Sequence, residues 1–204
     1  MHYALLTLIL SIPVIVYSDD FEEVTSLNNR AMMYLNGEGV QQDYNEAIRL
    51  FSLSAEQGNE FAQANLGLMY WDGLGVKQDY KKAAEWLRKS AEQGNASAQT
   101  SLGLIYHLGY GTDIDYKEAI KLYSLAADQG DQIAQRTLGY IHKNGNGVPV
   151  DLVYALMWFM IAETAGDQVA EREAKKLIEI LDKSQHPTKF LSKQPAALLS
   201  ASWY

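Results

Sequence analysis

Apolar residues recur at three- and four-residue spacing through most of the chain, in short blocks punctuated by glycine. In Phe61-Ala-Gln-Ala-Asn-Leu-Gly-Leu-Met-Tyr70 they fall at i, i+3 and i+4, which predicts a helix with one buried face. Gly73 and Gly75 follow, and glycine accepts the left-handed backbone that caps a helix C-terminus. Asp79 is then placed as an N-cap. A second helix runs through Ala83, Ala84, Trp86, Leu87 and Ala91 and stops at Gly94. The pattern predicts a helical hairpin, helix A then helix B.

The hairpin repeats with a period of 36 residues. Gly37-x-Gly39, Gly73-x-Gly75, Gly109-x-Gly111 and Gly145-x-Gly147 keep that step, as do Asp43, Asp79, Asp115 and Asp151. So do Ala47, Ala83, Ala119 and Ala155, and Gly58, Gly94, Gly130 and Gly166. Leu66-Gly67, Leu102-Gly103 and Leu138-Gly139 share it, and Tyr34, Tyr70 and Tyr106 with His142 in the fourth slot. Asp43-x-x-Glu46 and Asp115-x-x-Glu118 have the spacing of a capping box, and the same spacing in Asp20-Phe-Glu-Glu23 is expected to start the first helix.

Glycine inside helix A needs its own reason, because it costs about 0.5–1 kcal/mol relative to Ala. Its recurrence at 67, 103 and 139 predicts a seam where helix B approaches closely, with the alanines at 47, 83, 119 and 155 as the other half. Gly103→Leu is expected to overpack that seam by roughly 1–3 kcal/mol.

Both ends leave the period. Residues 3 to 17 carry no charge, too short a run for a comfortable membrane span of about 20 residues and suited to a signal-peptide core. Val16-Tyr17-Ser18 before Asp19-Asp20 predicts cleavage after Ser18, so residues 1–18 are expected to be a signal peptide, with an uncleaved anchor as the alternative. The repeat domain is expected over 19–182, in units of about 24–59, 60–95, 96–131 and 132–167 plus a closing helix 168–182. In that helix Glu171, Arg172, Glu173, Lys175 and Lys176 predict a solvated terminal face. Residues 183–204 hold Pro187 and Pro195 without a period and are expected to be a frayed tail partly docked on the last repeat; Phe190, Leu198, Leu199, Trp203 and Tyr204 could instead form an adhesive segment for another protein or subunit.

Composition narrows the chemistry. Seventeen basic and 25 acidic residues give a net charge of −8, which argues against a nucleic-acid partner. The absence of cysteine excludes disulfides, thiolate metal sites and Cys nucleophiles. No Gly-x-Ser-x-Gly, His-Glu-x-x-His or phosphate-loop motif occurs. A metal site would have to use His107, His142 or His186, and the recurring aspartates have capping work already. No enzymatic activity, metal or cofactor is expected. Asn95-Ala-Ser97 is a glycosylation sequon of weak weight.

The marks Ala62-x-x-x-Leu66-Gly67-x-x-Tyr70-x-x-Gly73-x-Gly75-Val76-x-x-Asp79-x-x-x-Ala83-x-x-Trp86, with Ala91-Glu-Gln-Gly94, resemble the Sel1-like repeats, relatives of the tetratricopeptide repeat. The resemblance covers residues 24 to 167. It implies an all-α, right-handed superhelical solenoid of antiparallel helix pairs, helix A lining the concave side. Arg30-Ala31 and Ala174-Lys175 replace Leu-Gly in the terminal units. The segment 154–162 is similar to the last repeat of many bacterial members, which, with the short signal and the compact four repeats, points to an exported bacterial type.

Carried over by the Leu-Gly and Tyr slots, the resemblance implies groove positions at Phe61, Ala64, Leu68, Trp71 and Asp72; at Ser97, Thr100, Leu104, His107 and Leu108; and at Ile133, Arg136, Tyr140, Lys143 and Asn144. The binding candidates are Phe61, Leu68, Trp71, Asp72, His107, Arg136, Tyr140 and Lys143: an apolar stretch beside a basic one, suited to a peptide with an apolar anchor and a carboxylate. The expected function is a non-enzymatic adaptor, periplasmic or secreted, that holds a protein or peptide partner, a host or envelope protein, with no integral membrane span after signal removal. The alternatives are a small-ligand or cell-wall-fragment binder or hydrolase in the bacterial envelope, by likeness to cysteine-rich relatives, and a quality-control adaptor of the endoplasmic reticulum.

Overall fold

The computed structural model describes residues 17–183, with side chains from Val24 onward. The expected signal peptide up to residue 16 and the tail from residue 184, with its aromatic segment, lie outside the described residues. The elements are α1 (Tyr17–Asn36), α2 (Tyr44–Glu56), α3 (Glu60–Asp72), α4 (Tyr80–Glu92), α5 (Ala96–Leu108), α6 (Tyr116–Asp128), α7 (Gln132–Asn144), α8 (Leu152–Thr164) and α9 (Gln168–Lys183). Odd-numbered helices fill the helix-A role. The dominant packing runs between consecutive helices, so each hairpin rests on the next, as a solenoid requires.

Each helix B starts as the Asp spacing predicts. The carboxylates of Asp43, Asp79, Asp115 and Asp151 accept hydrogen bonds from backbone N–H groups two or three residues on. The reciprocal half of the capping box is not made. Each capping Asp donates its own N–H to the residue in the Tyr slot of the preceding helix: Asp43 to the Tyr34 carbonyl, Asp79 to Tyr70, Asp115 to Tyr106 and Asp151 to His142, all at 2.9 Å. Glu46 and Glu118 turn instead to Arg49 and Lys121. One residue thus caps helix B and ties it to helix A. The first helix departs from expectation: the chain is already helical at Tyr17, the first described residue, ahead of Asp20, and no Gly or Pro interrupts residues 17–36.

The glycine seam exists, and its main partner is a large side chain beside the alanine. A Cβ on Gly67 would sit 2.7 Å from Leu87 Cγ, one on Gly103 3.0 Å from Tyr123 Cε1, and one on Gly139 2.6 Å from Phe159 Cε1. The bare backbone therefore admits a large buried side chain, four residues after the recurring alanine, and in the second unit the alanine's backbone as well, since Ala83 O would stand 3.2 Å from a Gly67 Cβ. Phe51, Leu87, Tyr123 and Phe159 keep the 36-residue step, and all four are almost wholly buried. Gly103→Leu would meet the Tyr123 ring, and the expected cost stays at roughly 1–3 kcal/mol, read as a lower urea midpoint.

Two further classes of polar residue hold the stack. Asn59, Asn95 and Asp131 cap the helix-A elements through their side-chain oxygens. Gln63, Gln99 and Gln135, each about 5% exposed or less, donate to the carbonyls of Ala55, Ala91 and Ala127 at 3.1–3.2 Å. These are last-turn carbonyls outside the regular helical ladder, and each also accepts the N–H of the glycine three residues on, Gly58, Gly94 or Gly130. The side-chain oxygens of Gln63 and Gln99 accept in turn from Gln93 and Gln129. Gln135 Oε1 has no partner among the described residues, since its matching slot holds Ala165. Ala165→Gln is expected to restore the link and raise stability by about 1 kcal/mol; an unchanged thermal midpoint would refute the ladder as an energetic feature.

The expected solvated face of the closing helix holds for four of its five residues. Glu171, Arg172, Lys175 and Lys176 are wholly or partly exposed, whereas Glu173 is buried.

Candidate functional site

Helix A positions the candidate groove residues at its first turn, its centre and its last turn. Phe61 lies in the first turn of α3 and is 56% exposed. It stands ten residues from Trp71, about 15 Å along the axis, so the apolar stretch is not continuous with it. Ala64 and Thr100, also assigned to the groove, are buried and form floor rather than surface. The exposed apolar centre is supplied by Leu104 and Leu108 on α5, beside partly buried Leu68 and Trp71 on α3. Asp72 is exposed at the rim.

Trp71 meets Tyr80 and Tyr110 edge-on, with ring centroids 5.1 Å away in each case, and those two tyrosines stack at 5.0 Å. The indole therefore joins α3 to the start of α4 and to the turn of the next unit. One unit on, His107 takes the same position against Tyr116 and contacts Asn146, Nε2 to Nδ2, at 3.2 Å. Sequence spacing singled out Trp71 and His107 but not their aromatic neighbours, Tyr80 and Tyr116 at the first positions of α4 and α6 and Tyr110 in the turn after α5.

The basic stretch is built but already paired. Arg136 donates to Asp167 and Lys143 to Glu173, each linking α7 to α9. Asp167 and Glu173 are buried; Asp167 also caps α9 through Val169 and Ala170, and Glu173 takes a second bond from Lys176. These bonds from Lys143 and then Lys176 hold the Glu173 carboxyl below the usual glutamate range. Tyr140 packs edge-on against Phe159, centroids 5.1 Å apart, with the Lys143 ammonium 5.8 Å from its ring centre. Arg136, Tyr140 and Lys143 do come together, as a lateral clamp between the last two helix-A elements. The signal for it was Asp167, in the capping slot that Asn59 and Asn95 fill earlier.

Burial pushes the imidazoles of His107 and His142 below the ordinary histidine range, with Asp151 pulling His142 the other way. His142 sits edge-on to Tyr154 at 4.4 Å. A base whose folded pKa is depressed contributes stability that is full above its unfolded value, near pH 6.5, and is lost as pH falls toward the folded value. His142→Tyr, the residue of the sister units, is expected to flatten the fall in thermal midpoint between pH 7 and 5. A slope equal to wild type would count against the burial account.

Among the described residues no three His, Asp or Glu are gathered closely enough to hold a metal ion, and no helix is long and apolar enough to cross a membrane.

A family model described as Sel1 repeat matches residues 24–59, 61–95, 96–131 and 132–167. No curated protein matches the sequence. Among solved structures, a Sel1 repeat protein from Oxalobacter formigenes is 34% identical at TM-score 0.74, covering 79% of this chain and 66% of that one. A protective antigen present in uropathogenic Escherichia coli strains, displaying an SLR fold, is 35% identical at TM-score 0.74, covering 78% of this chain and 34% of the other. Cysteine rich protein B of Helicobacter pylori is 26% identical at TM-score 0.50, with 66% and 97% covered. The chain thus spans about two thirds of the first of these and one third of the second.

Proposed function

The chain belongs to the Sel1 repeat family, and from that premise we propose that it is an exported, non-enzymatic adaptor that holds a protein or peptide segment on its helix-A face. The carrying observation is that the structural slots keep their residue types from unit to unit while the helix-A surface does not. Leu68, Leu104 and Tyr140 share one slot, and Trp71, His107 and Lys143 another. A surface that varies over an invariant frame is where recognition can be written without cost to folding. The exposed pair Leu104 and Leu108 is the apolar anchor point of this reading. Arg136 and Lys143 act mainly by fixing the position of α9, their charges being met internally by Asp167 and Glu173.

The test is paired affinity capture with the full chain, wild type against a Leu104→Ser, Leu108→Ser variant of equal helicity. Partners lost by the variant support the groove; the same partners kept at equal yield would refute it. Export predicts a mature amino terminus at Asp19 by mass spectrometry. An intact Met1 in the recovered protein would overturn cleavage.

A further inference from the structure

The turn edge of the second unit carries a cavity of about 610 Å³ lined by Tyr70, Val76, Lys77, Tyr80, Lys81 and Lys82, with Gly111 of the next unit closing one side. That volume lies within the range of ligand pockets, about 300–1,000 Å³. All three lysines are exposed, and none makes an ion pair with a described residue. Lys82 lies over the Tyr70 ring, 5.3 Å from its centre. The one carboxylate on the wall, Asp79, accepts the N–H groups of Lys81 and Lys82 at 3.1 Å as the cap of α4.

The sister units serve as internal controls. The slot of Lys82 holds Glu46 in the first unit and Glu118 in the third, each closed onto a cation three residues later at 2.6 and 2.9 Å. In the fourth it holds Tyr154, and the slot of Lys77 holds Gln41, Asp113 and Pro149. Only the second unit gathers three cations here, on a chain of net charge −8. Cations in the first turn of a helix oppose its dipole, so the cluster lowers stability and no internal pair offsets it. Against it stands the aromatic wall of Tyr80, stacked on Tyr110, which is 38% exposed.

We propose that this cavity binds an acidic peptide segment of a partner protein, with carboxylates met by Lys77, Lys81 and Lys82 and an aromatic side chain seated beside Tyr80. The site lies on the turn edge, apart from the Leu104–Leu108 anchor, and goes beyond the groove reading; either can fail alone.

The experiment titrates the ¹⁵N-labelled full chain with the capped peptide Glu-Asp-Phe-Asp-Glu and with its neutral counterpart Gln-Asn-Phe-Asn-Gln. The acidic peptide is expected to shift amides at 77–82 and 110–111. In the K77E/K81E/K82E variant its affinity should fall by about tenfold or more. That variant places acids in the first turn of α4, where the dipole favours them, so its fold is retained. The K89E/K117E/K183E variant, with the same change in net charge, should bind like wild type. Equal losses in both variants, equal binding of the neutral peptide, or shifts confined to α5 would overturn the proposal. So would displacement of the peptide by inorganic phosphate at matched ionic strength, which would assign the site to a small anion.

Discussion

Phe159→Ala is expected to be the most damaging single change in the chain, costing about 3–5 kcal/mol. The ring is completely buried in α8, its edge lies against the bare backbone of Gly139, and it supports Tyr140. Gly139→Ala attacks the same contact from the other side. Its Cβ would stand 2.6 Å from Phe159 Cε1, and the overpacking is expected to cost about 1–3 kcal/mol. In the double variant the new methyl enters space the ring has left, so the combined loss should be smaller than the sum by more than about 0.5 kcal/mol. Urea unfolding of the four proteins at equal m-value measures this. Strict additivity would mean that the seam is not a single packed unit.

The second large effect is expected at Asp167. Its carboxylate is buried, caps α9 and receives the Arg136 guanidinium. Asp167→Ala removes a cap, worth about 1 kcal/mol, and a charge-assisted bond, worth about 1.5–3 kcal/mol; the expected loss is about 2–4 kcal/mol. Asp167→Asn separates the two contributions, because Asn caps the same slot at Asn59 and Asn95 but carries no charge. It should cost only the part owed to Arg136, and in an Arg136→Ala background it should cost little more. An Asn variant as unstable as the Ala variant would show that the cap, not the ion pair, holds α9. The Lys143–Glu173 pair adds a pH signature. Since the folded Glu173 carboxyl sits below its ordinary range, its contribution is present above about pH 4.3 and is lost as pH falls through the folded value.

The fold was legible because its determinants are local and repeated: a capping Asp, a left-handed Gly and a helical stripe each recur every 36 residues. The seam partner was harder to read. Residues four apart lie on the same helix face, so Ala83 and Leu87 fit the periodicity equally, and only the approach of the helices separates them. The candidate groove positions could be listed from the repeat register but not read as an electrostatic surface. Arg136 and Lys143 read as free cations because Asp167, although in the recurring capping slot, was not connected to Arg136 by any spacing rule, and Glu173 enters from the closing helix, where the repeat pattern has broken. Gln63, Gln99 and Gln135 carried a signal that went unused: a polar residue recurring inside an apolar stripe marks a buried hydrogen bond. Of the aromatic neighbours of Trp71, Tyr110 was hidden because it belongs to a turn, whose direction no periodicity predicts.

Packing between consecutive helices also sets the order in which the chain can become structured. Almost every strong contact joins segments that leave the ribosome within seconds of each other, at about 5–20 residues per second. A hairpin can close its seam as soon as its helix B emerges, and each later hairpin finds a finished surface to grow on. Loop-closure cost stays small at every step, the condition under which chains fold fast. The clamp at Asp167 and Glu173 comes last. Until α9 is made, the side of α8 that packs on it is left uncovered, so a nascent chain halted before residue 168 would expose part of the most hydrophobic of the described helices, and α9 supplies the covering layer that a terminal repeat needs.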